Sequence, residues 1–458
     1  MAAIKRILIA NRGEIAVRII RTCRTLGIET VLAVSEADRD TLGAKLATRA
    51  VCIGPARSTD SYLKVGTIVE AAIGTGCDAI HPGYGFLSEN EKLAEACSEN
   101  QIIFIGPQTA HLKAVGDKLT ARRHAVDAKV PLVPGGNVSN PQEAIALAPD
   151  IGFPLLIKAV SGGGGRGMKR VDRVEDLATM FDMAVSEATA AFGDGRVYME
   201  RLITVGRHVE VQILSDGETV LHVGERDCSV QRRYQKVIEE APAPGLPEKM
   251  RHEILDAALR FARHIGYKSL GTVEFLVDCE RDAFYFLEMN ARIQVEHPVT
   301  EAISGLDLVA AQIAIAEGKP LKLTQDDIRL QGHSFECRIN AEDIEADFRP
   351  SPGRVGDVWF PSATGLRVDT HIQSGAMISP HYDSMIAKVI TWGETRPIAL
   401  QRMRDILAIC VLDGVKTNIA LHRAILDDDA FIEGGIDTNY LGQLLAKRPA
   451  ALAIEKEA

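Results

Sequence analysis

The stretch from Ile7 to Val34 restricts the fold more than any other part of the chain. Ile7-Leu8-Ile9-Ala10 is a short apolar strand, and Asn11-Arg12-Gly13 turns out of it. Glu14 to Leu26 then places apolar side chains at helical spacing, Gly27 supplies a C-cap, and Thr30 to Val34 reads as the next strand. A strand, a helix and a second strand in that order open a parallel sheet. The alternation continues through Asp78-Ala79-Ile80 and Ile102-Ile103-Phe104-Ile105, so a doubly wound α/β domain is expected to end near Gly106-Pro107. Its first turn, Asn11-Arg12-Gly13-Glu14-Ile15-Ala16, lacks the glycines that let backbone approach a pyrophosphate. A nicotinamide enzyme is rejected on that ground. The glycine-rich turn from His81 to Asn90 either lines a cleft or simply joins a strand to a helix.

A chain of 458 residues predicts about three domains. The second region, about 115–317, mixes helices with strands at Pro154 to Ala159, Val197 to Glu200, Val209 to Leu214, Gly271 to Asp278 and Ala283 to Met289. Gly318-Lys319-Pro320 closes a helix and starts a linker. The third region, 332–447, is an α+β unit, with strands expected at Ser334 to Ile339, Gly353 to Phe360 and Ala387 to Trp392. It ends in helices around Pro397 to Leu407 and Asn418 to Leu426, and the tail after Lys447 is expected to fray. With 46% hydrophobic and 25% charged residues, the composition is that of a globular protein with a sizeable core. The net charge of -10 speaks against nucleic acid as a partner. Eight scattered cysteines without a Cys-x-x-Cys pair read as reduced cytosolic thiols. The N-terminus enters a strand directly, and no apolar run approaches the ~18 residues of a membrane span. A cytoplasmic chain without a signal peptide or membrane segment is therefore expected.

Four constellations carry chemistry. Lys158 ends a strand and leads into Ser161 to Lys169, which holds five glycines within six positions. Glycines let successive N–H groups converge on phosphate oxygens, and such a loop serves as a lid. No Gly-Lys-Ser/Thr follows, so it is not a Walker A loop. Arg226 to Lys236 places four cations in eleven residues of an acidic chain, as an exposed basic face or an anion site. Gly271 to Asp278 and Ala283 to Asn290 look like an antiparallel hairpin. A three-residue loop, Glu280-Arg281-Asp282, sets Cys279 opposite Ala283 and Glu274 opposite Glu288, with Asn290 on the same face. Two carboxylates that close need a cation between them, and oxygen ligands suit Mg²⁺. A four-residue loop would put the two acids on opposite faces. The last constellation is the polar run Glu288 to Pro298. There Arg292 can fork onto a carboxylate-like anion and Glu296 can act as general base, or the two form a surface salt bridge.

Taken in order, these motifs resemble the ATP-grasp superfamily and, within it, the biotin carboxylase family. The resemblance rests on Asn11 to Ala16, His81 to Asn90, Ser161 to Met168, Gln231 to Pro244, Glu288 to Thr300, Glu336 to Asp343 and Tyr382 to Ile386. It spans nearly the whole chain. It implies an N-terminal domain over 1–114, an ATP-grasp domain over 115–317 with a lid at about 131–203, and a C-terminal domain over 332–447. The implied reaction phosphorylates bicarbonate with MgATP (or MnATP) to carboxyphosphate and passes the carboxyl group to N1′ of biotin on a carrier protein. By the same resemblance Lys118 and Lys158 hold nucleotide phosphates, with Gly164 and Gly165 in the lid. The backbone of Glu200, Arg201, Leu202 and Ile203 meets adenine, with His208 and position 234 nearby. Glu274, Glu288 and Asn290 hold metal. Lys236, Arg292, Gln294 and Val295 bind bicarbonate, Glu296 takes its proton, and Arg338 steadies negative charge on the biotin ureido oxygen.

Two positions depart from the family pattern: Tyr234 stands where histidine is general, and Ala291 where a hydroxyl residue is common. The Met-Lys-Met signature of a biotin carrier is absent; the one Met-Lys is Met168-Lys169. The resemblance therefore implies a stand-alone, homodimeric subunit whose carrier and carboxyltransferase are separate chains. Two alternatives remain: another ATP-grasp ligase with an acyl phosphate intermediate, or a non-catalytic ATP-binding scaffold.

Overall fold

The computed structural model describes residues 3–161 and 168–447; the expected lid glycines Gly164 and Gly165, and the tail beyond Lys447, lie outside the described residues. The N-terminal strands β1 (Arg6–Ile9), β2 (Glu29–Val34), β3 (Arg49–Cys52), β4 (Ala79–His81) and β5 (Ile103–Phe104) form a parallel sheet in the order β3-β2-β1-β4-β5. Helix Gly13–Thr25 connects β1 to β2 and buries Ile15, Ala16, Ile19, Ile20 and Cys23. It ends at Gly27, whose φ of 71° allows the Ile28 N–H to reach the Cys23 carbonyl at 2.8 Å. That closure uses the left-handed conformation glycine adopts without strain.

A second, antiparallel sheet comprises β6 (Gly135–Val138), β7 (Leu155–Ala159), β8 (Met168–Val171) and β9 (Val197–Arg201), in the order β6-β9-β7-β8. Helices Pro141–Ile151 and Val174–Phe192 pack on it through a small core that includes Leu155, Ile157, Leu177, Phe181 and Met199.

The third sheet organises the molecule. Strands β10 (Gly206–Asp216), β11 (Val220–Arg232), β12 (Gln235–Ala241), β13 (Lys268–Asp278), β14 (Ala283–Asn290) and β15 (His333–Asn340) run in the order β14-β13-β10-β11-β12-β15. Strands Met385–Gly393 and Leu366–Thr370 complete eight, and every neighbouring pair is antiparallel. The apolar side of β10 and β13 packs on helix Glu248–His264 through Val209, Val211, Val273, Ile254 and Phe261. The C-terminal strands pack on helices Arg396–Ile409 and Ile419–Leu426.

Three expectations are corrected. Of the two readings of the basic run from Arg226, the exposed face holds only at Arg233 in the turn after β11; Arg226 is fully buried in that strand, and Arg232 and Lys236 are half-buried. The strand expected over Gly353 to Phe360 is two short pieces, Gly353–Arg354 and Val358–Trp359, which pair with different partners. Between them the Gly356 N–H bonds the Asp413 carbonyl at 2.8 Å, which takes the chain from one partner to the other. The hairpin of β13 and β14 has a four-residue loop, because Ala283 faces Asp278 rather than Cys279. Phe275 still faces Phe286, but Glu274 faces Glu288, so Leu287 is a one-residue bulge. The bulge restores the register that the longer loop would have lost. Among the described residues no single helix is long and apolar enough to cross a membrane.

Candidate active site

Strand β10 carries His208, Glu210 and Gln212 in alternation with Val209, Val211 and Ile213, so one side of the large sheet is apolar and the other charged. On the charged side Glu210 lies opposite Arg226 of β11 and opposite Glu274 of β13. Arg226 is satisfied by Glu210 at 2.6 Å, Gln212 at 2.8 Å, Thr300 at 2.9 Å and Thr272 at 3.1 Å. A buried guanidinium needs such a full set of acceptors.

Lys236, on β12, stands at the centre. Its Nζ donates to Glu210 and Glu296 at 2.6 Å each and to Glu274 at 3.3 Å. Burial opposes its charge, but the Cys228 sulfur and the acids Glu210, Glu274 and Glu296 more than offset this and raise its pKa well above the ordinary value. Glu296 also accepts from Arg338 of β15 at 2.9 Å. Burial would raise the Glu296 pKa, yet Lys236, Arg338 and Arg226 hold it well below the carboxylate range. Arg338 is paired a second time, with Glu239 at 2.5 Å.

Beside this cluster the hairpin acids Glu274 and Glu288 face each other. Among the described residues Glu288 has no ion-pair partner within 4 Å, and burial together with the Glu274 charge raises its pKa against the pull of Lys118. A half-buried acid raised by a like charge is where a cation would sit. Asn290 donates to Glu274 at 3.0 Å and turns its carbonyl oxygen to Arg292 at 2.7 Å. The donor set is all oxygen, which fits Mg²⁺ or Mn²⁺. Arg292 also holds Gln294 at 2.9 Å and Glu89 at 2.9 Å. The Val295 carbonyl is fixed by Lys388 Nζ at 2.7 Å.

A cavity of about 570 Å³ opens over these groups. His208, Tyr234, Lys236, Glu274, Glu288, Asn290, Arg292, Gln294, Val295 and Arg338 all line it, while Glu296 is buried beneath. Lys118, Lys158 and Glu200 to Ile203 are not in its wall. They sit on the side of the four-stranded sheet, where Lys158 pairs with Glu200 and Lys118 feels both Glu288 and Glu200. The Arg201 and Leu202 N–H groups bond the carbonyls of Pro134 and Pro154, and the Arg201 side chain turns to the Ile151 carbonyl. His208 donates no charge to solvent: it lies 3.1 Å from Glu274, and that carboxylate raises its pKa although burial opposes it.

Tyr234 occupies the two-residue turn between β11 and β12, where Arg232 faces Gln235. Arg233 and Tyr234 have φ of 50° and 67°. Hairpin turns of this kind favour asparagine and glycine, and histidine adopts φ > 0 more readily than tyrosine. The departure at 234 therefore places an aromatic ring, 64% exposed, at a strained position on the rim of the cavity.

Three family descriptions match in sequence: "Biotin carboxylase, N-terminal domain" over residues 3–112, "Carbamoyl-phosphate synthase L chain, ATP binding domain" over 117–324, and "Biotin carboxylase C-terminal domain" over 336–443. A biotin carboxylase from Nostoc sp. is 48% identical over 442 residues, which is 96% of this chain and 99% of that protein. This chain belongs to the biotin carboxylase family. Its structure agrees with that family's ATP-grasp fold. A biotin carboxylase–β-γ-ATP complex from Campylobacter jejuni matches with a TM-score of 0.93 at 45% identity, covering 96% of this chain and 99% of that one. The biotin carboxylase domain dimer of Hydrogenobacter thermophilus 2-oxoglutarate carboxylase, in complex with MgADP, ADP and bicarbonate, matches at 0.92 and 44% identity, covering 99% of each chain.

Several residues of the site had no role in the sequence reading. Glu210 was signalled by the polar alternation along β10, and Glu239 by its place in the motif from Gln231 to Pro244. Lys388 carried no local signal, and Glu89 and Glu14, although inside the motifs His81 to Asn90 and Asn11 to Ala16, were given no role: their partners Arg292 and Lys388, and the Val295 carbonyl that Lys388 holds, are far away in the chain.

Proposed function

We propose that this chain carboxylates biotin, carried on a separate protein, with bicarbonate and ATP. The observation that carries the reading is the convergence of Lys236, Arg292, Gln294 and Arg338 on one cavity, with the ionised Glu296 beneath and the paired acids Glu274 and Glu288 at its side. Arg292 and Lys236 supply positive charge for a planar anion, and Gln294 and the Val295 backbone set its orientation. A bicarbonate oxygen attacks the γ-phosphorus of ATP, ADP leaves, and Glu296 accepts the bicarbonate proton, giving carboxyphosphate. Lys236 and Arg338 keep Glu296 ionised but weakly basic; as Lys236 turns to the anionic substrate, the carboxylate's proton affinity rises toward that of a working base. The metal held by Glu274, Glu288 and Asn290 would neutralise phosphate charge, the principal requirement of phosphoryl transfer. Lys118, Lys158 and the lid would hold the phosphates, and the strand end from Glu200 to Ile203, with His208 and Tyr234, would flank the base. Carboxyphosphate then releases phosphate as its carboxyl group passes to N1′, the departing phosphate taking the N1′ proton; Arg338 faces the cavity from β15, where it would meet the oxyanion that forms on the biotin ureido group.

The carrier and the carboxyltransferase are proposed as separate chains, and the chain itself as a homodimer, as in the Hydrogenobacter thermophilus domain. Eight free cysteines support a reducing, cytoplasmic setting. ATP hydrolysis by the purified chain should depend on bicarbonate and rise on addition of free biotin. A folded, ATP-binding protein whose hydrolysis ignores biotin would overturn this reading in favour of another acyl-phosphate ligase.

A further inference from the structure

Away from the cavity, two helices end beside each other with three metal-ligating side chains between them. Helix Lys118–Asp127 carries His124 and Asp127 one turn apart, on one face. Helix Glu248–His264 finishes on His264. His124 Nδ1 and His264 Nε2 are 3.3 Å apart, and an Asp127 oxygen lies within 4.8 Å of both. Asp127 and His264 are exposed and His124 is half-buried, so the group is open to an incoming ion.

The spacing suits a shared ion as well as a ring-to-ring hydrogen bond. Two imidazole nitrogens bound tetrahedrally at about 2.0–2.1 Å from one Zn²⁺ stand about 3.3–3.4 Å apart. An N–H donor usually sits nearer its acceptor, at about 2.7–3.2 Å. Two features favour a cation. Both helices present their C-terminal ends here, where backbone carbonyls carry partial negative charge. Among the described residues Asp127 has no ion-pair partner, since the nearby Arg260 is engaged by Asp256 and by the carbonyls of Ala128 and Lys129.

We propose that His124, Asp127 and His264 form a surface site for a borderline divalent ion, Zn²⁺ in the first instance, with water in the fourth position. Two imidazoles and one carboxylate select such an ion over Mg²⁺, which prefers six oxygens. The site is thus chemically separate from the oxygen donors at Glu274 and Glu288. The bound ion clips helix Lys118–Asp127 to helix Glu248–His264. The first of these begins at Lys118, and the chain leaving it enters β6, so the clip restrains the root of the four-stranded lid sheet.

The test uses the full chain with saturating MgADP, which keeps the probe ion away from the cavity acids. Titration with Co²⁺ should give the intense visible absorption of one four-coordinate ion, and Zn²⁺ should displace it and raise the unfolding temperature. His124→Gln and His264→Gln should each weaken Zn²⁺ binding by more than the ~10-fold to 100-fold that loss of an outer-shell partner costs. Both should keep the metal-free unfolding temperature and the Mg²⁺-supported ATPase. His264→Cys should retain the ion and add a sulfur-to-cobalt charge-transfer band, which adventitious surface binding would not produce. Unchanged Co²⁺ spectra and Zn²⁺ affinity in the His124→Gln/His264→Gln double variant would refute the site, as would a His264→Cys protein without the sulfur band.

Discussion

Arg338 and Lys236 share one carboxylate, and their proposed roles separate when Arg338 is removed. Lys236 donates to Glu296 at 2.6 Å through the oxygen that Arg338 does not use, so in Arg338→Ala the bicarbonate-dependent ATPase should persist. Biotin carboxylation should fall by about 10²–10³-fold, the usual cost of one lost oxyanion donor. Assay of the two activities side by side decides the matter: equal losses would remove Arg338 from biotin recognition. Glu288→Gln, by contrast, should abolish both, since it takes away one of two facing carboxylates while leaving shape intact. The partner of Arg338 adds a pH dependence. Burial pushes the Glu239 carboxyl up to about 7, with Arg338 opposing. The unfolded chain titrates this group near ~4.3, so the folded state holds the extra proton between the two values. The protonated acid therefore favours the fold fully at low pH, and that contribution is lost as pH rises through about 7. Glu239→Gln should gain stability relative to the parent between pH 5 and pH 8, read by thermal unfolding in matched buffers. Parallel curves would show that Glu239 does not titrate there.

At the scale of elements, apolar spacing revealed the strands, because alternation along β10, β13 and β14 is set by burial of one side. The facing of Glu274 and Glu288 was also legible, but for an incomplete reason. The loop between the strands is longer than expected, and the bulge at Leu287 compensates. Bulges arise from how a strand bends over its neighbours, and no residue type announced this one. Strand β11 was hidden by its cations: Arg226 reads as a surface residue until Glu210, Gln212, Thr272 and Thr300 are seen around it. Tyr234 shows the opposite case, a residue whose backbone demand is visible only in the turn it occupies. Lys388 is the strongest example of a support that sequence conceals. Fully buried on strand Met385–Gly393, it bonds the Val295 carbonyl and pairs with Glu14 of helix Gly13–Thr25 at 3.2 Å. Lys388→Met leaves the buried Glu14 with the Tyr84 hydroxyl but without its cation, a loss of about 3–5 kcal/mol. The unfolding temperature should drop markedly, and adding Glu14→Gln should recover part of the loss. No recovery in the double variant would mean that the pair is not what couples these elements.

Across the whole molecule, the three stretches matched by family descriptions do not correspond to three separate sheets. β12 and β15 pair through Ile238–Cys337, Glu239–Glu336 and Glu240–Phe335, so one sheet crosses from the ATP-binding region into the C-terminal region. Lys236 and Arg338 reach Glu296 from those two adjacent strands, and Lys388 supports the same loop from the next strand on. The N-terminal unit joins the site through Glu89 and Glu14. The anion-binding part of the site is thus assembled on the large sheet and the N-terminal unit, while the four-stranded sheet, which carries Lys158 and Glu200, has strands that pair only with one another. None of its strands pairs with the large sheet, so the motion that the proposed lid role requires would break no ladder there. The sheet's continuity makes a specific demand on cooperativity. A chain ending at Gln331 loses the partner strand of β12 and exposes a long, charged edge, along with the ion-pair partners of Glu239 and Glu240. Such a truncation should not yield a folded ATP-binding unit. In the intact protein, amide hydrogen exchange should therefore show β12 and β15 opening together, with the four-stranded sheet exchanging sooner. Slow exchange in β12 of a chain cut at Gln331 would contradict this, and would establish the ATP-binding region as an independent domain.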